Sequence, residues 1–401
     1  MGKLAKGVLA VWVFTIICGL CDNIRTNISQ STATNLFDLL GKEWKDYFKV
    51  SPWGQDVIFT TGAGYRDNTT LSHYNVQPSS YIQNILEVNV YRVSTSGPQV
   101  VFYLMGDDLH YLHEIDVSQE QTLYGLAEIK QKFSSGLTPG FSAQYVYQDR
   151  VIDLSGDPVN VSSIHVIGHS YITKPSLRYD FSGATNRATI PFAELSITVM
   201  RQDYDAPLDD YWETTPNLTL GLNYKMNRKQ RYNSEISISM GFSKRVYDNM
   251  LAADRDGLRI AGRGLEYDQY KAMLSWRHYL DARCLWKNTA KLGFIRNEDN
   301  GGGYYNYNKF SLSEQISYKD ENWYAHIELR VSQYDYDFQP VAYQSQTTRR
   351  ITSVLWNLRI ERAIAKKLRL FTDFEHERLN STLTAEAYQV NTITGGMIME
   401  F

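Results

Sequence analysis

After about residue 20 the sequence holds no apolar run of the roughly 20 residues that a membrane-crossing helix requires, so helical spans are excluded from the body of the chain. Proline is scarce, at 10 in 401 residues, which excludes a proline-rich linker or recognition tract. Cysteine numbers three, at Cys18, Cys21 and Cys284. The first two border an N-terminal apolar run; if that run is removed, Cys284 stands alone and no intrachain disulfide can brace an exported chain. Charge of one sign is also lacking: 41 Lys and Arg oppose 44 Asp and Glu, a formal net charge of −3. So mild a balance argues against nucleic acid as a partner and against an acidic substrate. No tetratricopeptide-like repeat is present.

What is present is aromatic: 29 Tyr, 16 Phe and 8 Trp, a tyrosine content that soluble enzymes seldom reach. At the N-terminus Lys3 and Lys6 precede a continuous apolar run from Val8 to Ile17, followed by Cys18, Gly19 and Cys21. That order predicts a secretory signal peptide over 1–21, cleaved near Gly19 or Cys21. A lipoprotein needs a small residue before its acceptor cysteine, whereas Cys18 follows Ile17 and Cys21 follows Leu20, which leaves lipidation as the lesser alternative. Loss of Lys3 and Lys6 would shift the net charge from −3 to −5. Residues 22–55 form a separate periplasmic segment in this reading. There Leu36, Phe37, Leu40, Trp44, Tyr47 and Phe48 recur at helical spacing, which predicts a short amphipathic helix resting on a rim, plugging a lumen or docking a partner.

From residue 56 the dominant pattern is alternation. In 233–246, NSEISISMGFSKRV, Ile236, Ile238, Met240 and Phe242 occupy every second position, with Glu235, Ser237, Ser239, Ser243 and Arg245 between them. Stretches 217–226 and 323–331 repeat the scheme. A period of two sustained over nine or ten residues is a strand whose two faces meet different surroundings. About sixteen strands follow, near 57–65, 82–93, 99–105, 123–133, 140–148, 171–181, 189–202, 216–226, 233–245, 266–280, 285–296, 307–318, 323–334, 351–362, 367–378 and 388–401. Their connections alternate between long and short.

That rhythm predicts an all-β fold: a transmembrane antiparallel barrel of about 16 strands over 56–401, with lipid outside and a polar lumen inside. Phe133, Phe141, Phe181, Tyr224, Trp286, Tyr318, Trp323 and Phe401 fall near the short turns, where an aromatic girdle marks a membrane interface. Glu314, Arg362 and His376 land on the lipid face in this register, and a bulge of one residue would turn them inward.

The alternating last strand, ending on Phe401, and the segment GAGYRDNTTLS at 62–72 together resemble the outer-membrane barrels grouped as β-barrel porins. In several of those families the first strand carries Gly-Tyr-Asp-Ser-Asn. Gly64, Tyr65, Asp67 and Asn68 approximate that motif, and Arg66 departs from it. The resemblance implies a location in the bacterial outer membrane, contact with lipid and lipopolysaccharide, and insertion by the barrel assembly machinery. Some relatives accompany exopolysaccharide or capsule export with periplasmic partners.

No pattern of catalytic chemistry emerges. The loop at 106–116 gathers Asp107, Asp108, His110, His113, Glu114 and Asp116, but their spacing matches no metal or protease motif. His169 and Ser170 are adjacent, so they point to opposite faces of a strand and cannot form a dyad. No enzyme, cofactor or metal site is therefore expected. The predicted lumen is more informative: Lys225, Arg245, Lys271, Arg277, Lys287 and Lys291 form a basic arc with Glu235 as its main counter-charge. Asp373, Glu375 and Glu377, beside Arg359, Glu361 and Arg369, form a more acidic one. The leading expectation is a passive pore for small hydrophilic solutes, monomeric or homotrimeric. A polysaccharide export component and a closed structural or adhesion barrel acting through its loops are the alternatives.

Overall fold

The computed structural model describes residues 53–93, 97–113, 116–153, 163–181, 188–205, 208–225, 233–341 and 347–401. The expected signal peptide, both cysteines beside it and the expected amphipathic segment at 31–52 lie outside the described residues. Sixteen strands follow one another: β1 (Trp53–Arg66), β2 (Ser79–Arg92), β3 (Gln99–Tyr111), β4 (Gln119–Lys130), β5 (Leu137–Asp153), β6 (Ser163–Asp180), β7 (Thr189–Tyr204) and β8 (Tyr211–Tyr224). The second half comprises β9 (Ser234–Ala253), β10 (Arg259–Tyr279), β11 (Trp286–Asp299), β12 (Tyr307–Lys319), β13 (Trp323–Pro340), β14 (Thr348–Ala365), β15 (Leu368–Ser381) and β16 (Tyr388–Glu400). Each strand pairs with the next, and β1 pairs antiparallel with β16, so the sheet closes into a barrel. Closure leaves no unpaired edge, the condition for a sheet to stand in hydrocarbon.

All sixteen expected strands are found, but they reach further than the alternation indicated. The stretch between 246 and 265 reads as a long polar loop, yet β9 continues to Ala253 and β10 begins at Arg259. Likewise β3 runs to Tyr111, β5 to Asp153, and β8 starts at Tyr211. Where both faces of a strand are wet the period-two signal fades, while the backbone ladder continues. The expected contrast between long and short connections is therefore carried largely by strand extension at one end. Below, the loop rim is the end joined by 67–78, 112–118 and 254–258; the turn rim is the end joined by 320–322 and 366–367.

Register settles the faces. β9 alternates as the pattern requires: Ile236, Ile238, Met240 and Phe242 are exposed on the outside, and Ser237 and Ser243 are buried inside. The ladders of β11 with β12 and of β12 with β13 run without a shift, so no bulge turns Glu314 inward. Shifts occur elsewhere, at Arg259–Glu266, Asp335–Pro340 and Ala363–Ala365.

Glycine admits large inward rings against the wall. A Cβ on Gly221 would lie 2.4 Å from Phe192 Cζ and 2.9 Å from the carbonyl oxygen of Ile236. Phe192 thus packs flat over β8, only 2% exposed, with the Arg178 guanidinium 3.6 Å above its ring. This is the pairing of an aromatic with a strand glycine that helps pin curvature and register.

The tyrosines also divide by face. Many point inward near the loop rim, where Tyr81, Tyr111, Tyr307, Tyr336 and Tyr388 belong to one buried cluster and Tyr211, Tyr247, Tyr267 and Tyr305 to another. Several of their hydroxyls find partners in this polar interior. Tyr388 donates to Glu377 at 2.7 Å, and Tyr111 accepts from Arg66 Nη1 at 3.1 Å. A side chain with an apolar ring and a polar tip suits that position better than phenylalanine.

Candidate functional site in the barrel lumen

On the basic side, Arg245 and Lys271 face inward from β9 and β10. Both meet Glu213 of β8, at 2.9 Å from Arg245 and 2.9 Å from Lys271. Ser243 Oγ donates to the same carboxylate at 2.6 Å, and the Arg245 guanidinium lies 4.3 Å from the centre of the Tyr211 ring. Glu213 is thus the centre of a charge network that sequence reasoning missed. It sits in the wet extension of β8, within a stretch that reads as loop, and its partners are 32 and 58 residues away. Glu235, expected as the main counter-charge, pairs among the described residues with Arg277, at 3.3 Å.

Lys225 lies just past the end of β8, its backbone N–H donating to the carbonyl of Ala188 at 2.9 Å. Lys287 and Lys291 are inward positions on β11 and stand in no ion pair among the described residues. Lys291 is exposed within the lumen, as is Arg330 of β13, whose side chain is 61% accessible although it contacts Glu328.

The acidic side is more tightly cross-linked. Asp373 accepts from Asn357 Nδ2 at 2.7 Å and lies 3.5 Å from Arg359. Arg359 bonds Glu361 at 2.8 Å, and Glu361 lies 3.7 Å from Arg369. Glu377 accepts from Tyr388. Glu375 has no hydrogen bond or ion pair among the described residues and borders an internal cavity of about 290 Å³.

The outer face carries the residues expected as a girdle. Trp286 packs at a tilt against Tyr318, ring centres 4.8 Å apart, and Trp323 lies under the Arg362 guanidinium at 5.2 Å. Phe133, Phe141, Phe181 and Phe401 are exposed at or near the turn rim. Tyr224 also faces outward; its hydroxyl accepts from Trp276 Nε1 at 2.7 Å and bonds His278 at 3.0 Å. A second aromatic belt, unread in the sequence, lies toward the loop rim: Phe242 with Tyr270, Phe294 with Phe310, and Trp356 with Phe374. Trp286 and Phe294 are eight residues apart on β11, and at about 3.3 Å per residue with a tilt near 40° that spans roughly 20 Å of bilayer. Between the belts the outer face is mainly aliphatic, with Leu218, Leu220, Ile238, Leu274, Leu292 and Leu312 exposed.

Glu114 lies outside the described residues; among those described, the acidic and histidine side chains of 106–116 do not converge. Asp107 points inward and accepts from Gln83; Asp108 and His110 point outward and pair at 2.8 Å; Asp116 accepts from the amides of Asn75 and Gln77. His169 and Ser170 lie on opposite faces, bonded to Tyr145 and Gln202 respectively.

A closed sheet with an apolar belt between two aromatic rings outside and charge inside places the protein in the bacterial outer membrane. Several solved structures are similar to the chain at low identity. A BenF-like porin from Pseudomonas fluorescens Pf-5 is 8% identical over 86% of this chain and 99% of its own, with a TM-score of 0.46. CdiB from Acinetobacter baumannii is 9% identical over 86% of this chain and 60% of its own, with a TM-score of 0.43. An anion-selective porin from Comamonas acidovorans is 9% identical over 88% of this chain and all (100%) of its own, with a TM-score of 0.40. No protein-family model matches the sequence, and no curated protein matches it.

Proposed function

We propose that the protein is a passive channel for small hydrophilic solutes. The observation that carries this reading is solvent access on the inner wall: Arg330 and Lys291 point into the barrel and are exposed there, as is the inward Met273, at 40%. A barrel filled by its own side chains would bury such positions, whereas sixteen strands enclose room for water when no plug occupies it. In this reading the outer belt contacts lipid and lipopolysaccharide, the barrel assembly machinery inserts the sheet, and the working unit is a monomer or a homotrimer. The lumen charges set selectivity and the aromatic belts set depth; nothing in the reading calls on catalysis.

The test is electrical. Purified protein reconstituted in planar bilayers is expected to give stepwise, ohmic conductance in potassium chloride. Folded protein that inserts without conductance would overturn the channel reading and favour a closed barrel acting through its loops.

A further inference from the structure

The cavity of about 290 Å³ lies where the first strands meet the last, lined by inward side chains of β1–β5 and β14–β16. It is slightly below the lower end of small-molecule sites, which run from roughly 300 to 1,000 Å³. Its lining is charged with both signs, and most of those charges are satisfied. Arg66 meets Tyr111 and Glu120 at 3.1 and 3.4 Å. Asp107 accepts from Gln83 at 2.9 Å, and Asp373 is held by Asn357. Two charges differ: among the described residues neither Arg150 nor Glu375 has a direct ion pair or a side-chain hydrogen bond, although each lies in the other's electrostatic reach and Arg66 and Asp107 lie nearby, and both face this one cavity. Arg66 Nε, buried on the same lining, also lacks an acceptor.

A guanidinium, a carboxylate and an unmet N–H around one small space are complementary to a molecule bearing a carboxylate and an ammonium group. Resting on the channel reading above, we infer that this cavity is a lumenal subsite for small zwitterions of the α-amino acid class. The ligand carboxylate docks on Arg150, whose planar fork can hold both oxygens, and its ammonium docks on Glu375. Threonine hydroxyls at Thr60, Thr122 and Thr392 complete a polar lining that leaves little room for a bulky side chain. A single-charge ligand would give a direct partner to one of the two groups only and would weaken its attraction to the other, which is the source of the discrimination.

The experiment uses the full barrel with L-alanine as probe, and acetate and methylammonium as single-charge controls. Millimolar L-alanine is expected to reduce the open-channel current saturably, with a half-effect concentration at least tenfold below that of either control. Arg150→Gln and Glu375→Gln should each raise that concentration at least tenfold. Arg150→Lys, which keeps the charge but not the fork, should fall between. Folding of every variant is checked by heat-modifiable electrophoretic mobility. Calorimetric titration of L-alanine into the detergent-folded barrel reads the same site without current, so loss of conductance with retained binding would sink the channel reading and spare the subsite. Binding that is absent, that acetate alone reproduces, or that both glutamine variants leave unchanged would overturn the subsite while leaving the channel intact.

Discussion

Neighbouring residues of β9 face different media, and the barrel depends on which is which. Ile238 is 45% exposed on the outer belt, while the Ser239 hydroxyl lies inside, 2.7 Å from that of Thr219. Placing arginine against acyl chains near the midplane costs about 2–4 kcal/mol, and placing it in a wet lumen costs far less. Ile238→Arg is therefore expected to lower the amount of folded barrel in outer-membrane fractions, and Ser239→Arg to leave it close to wild type; equal yields would overturn the face assignment. Polar residues that do face lipid have found local partners. Glu314 accepts from Asn288 Nδ2 at 3.0 Å, His376 bonds Asn391 at 2.7 Å, and Arg362 covers Trp323. The first-strand segment acts the same way: Asp67 accepts from the backbone and side-chain N–H groups of Asn391, at 2.7 and 2.6 Å, and fastens β1 to β16.

Among the hairpins, two connections are organised by single carboxylates. Between β12 and β13, Asp320 accepts from the N–H groups of Asn322 and Trp323 at 2.8 and 2.7 Å. The Tyr318 hydroxyl, then those backbone donors, hold its carboxyl below the usual carboxylate range. A depressed folded-state pKa contributes stability that is complete above the unfolded value, about 3.9, and is lost as pH falls through the lower folded value. Asp320→Ala is accordingly expected to lower the denaturant midpoint at pH 6, with the difference from wild type shrinking as pH falls and the carboxyl takes up its proton. A mutant deficit that persists at low pH would show that the turn is held by something other than this charge. At the loop rim Asp299 plays the corresponding part, accepting from the N–H groups of Gly301, Gly303 and Tyr305 at 2.7, 3.0 and 2.7 Å.

Across the whole barrel, the charge network decides which side chains can shape ion flow. Lys271 and Arg245 share the single negative charge of Glu213, while Lys287 and Lys291 of β11 stand in no ion pair among the described residues and extend the positive wall. A low-dielectric wall focuses the field of unpaired charge and raises the local concentration of anions. Replacing Lys287 and Lys291 by Glu is expected to move the zero-current potential in a salt gradient toward cation preference. The shift should shrink near 1 M salt, where the screening length falls to about 3 Å. An unchanged reversal potential in a conducting variant would remove β11 from selectivity. Lys271→Glu, by contrast, sets a carboxylate against Glu213 and should weaken the wall itself.

Alternation alone was enough to count sixteen strands and to separate the faces of β9, because lipid and lumen impose opposite demands on successive side chains. The same signal fell silent above the membrane, where water on both sides removes the contrast, and so the extensions of β3, β5, β9 and β10 and the position of Glu213 went unread. Which charges neutralise one another is a matter of register between strands tens of residues apart, which no local pattern encodes. The cavity lies further still from local sequence. Arg150 and Glu375 are brought to one lining only because β1 pairs with β16, a closure that sets the first strands of the barrel beside the last.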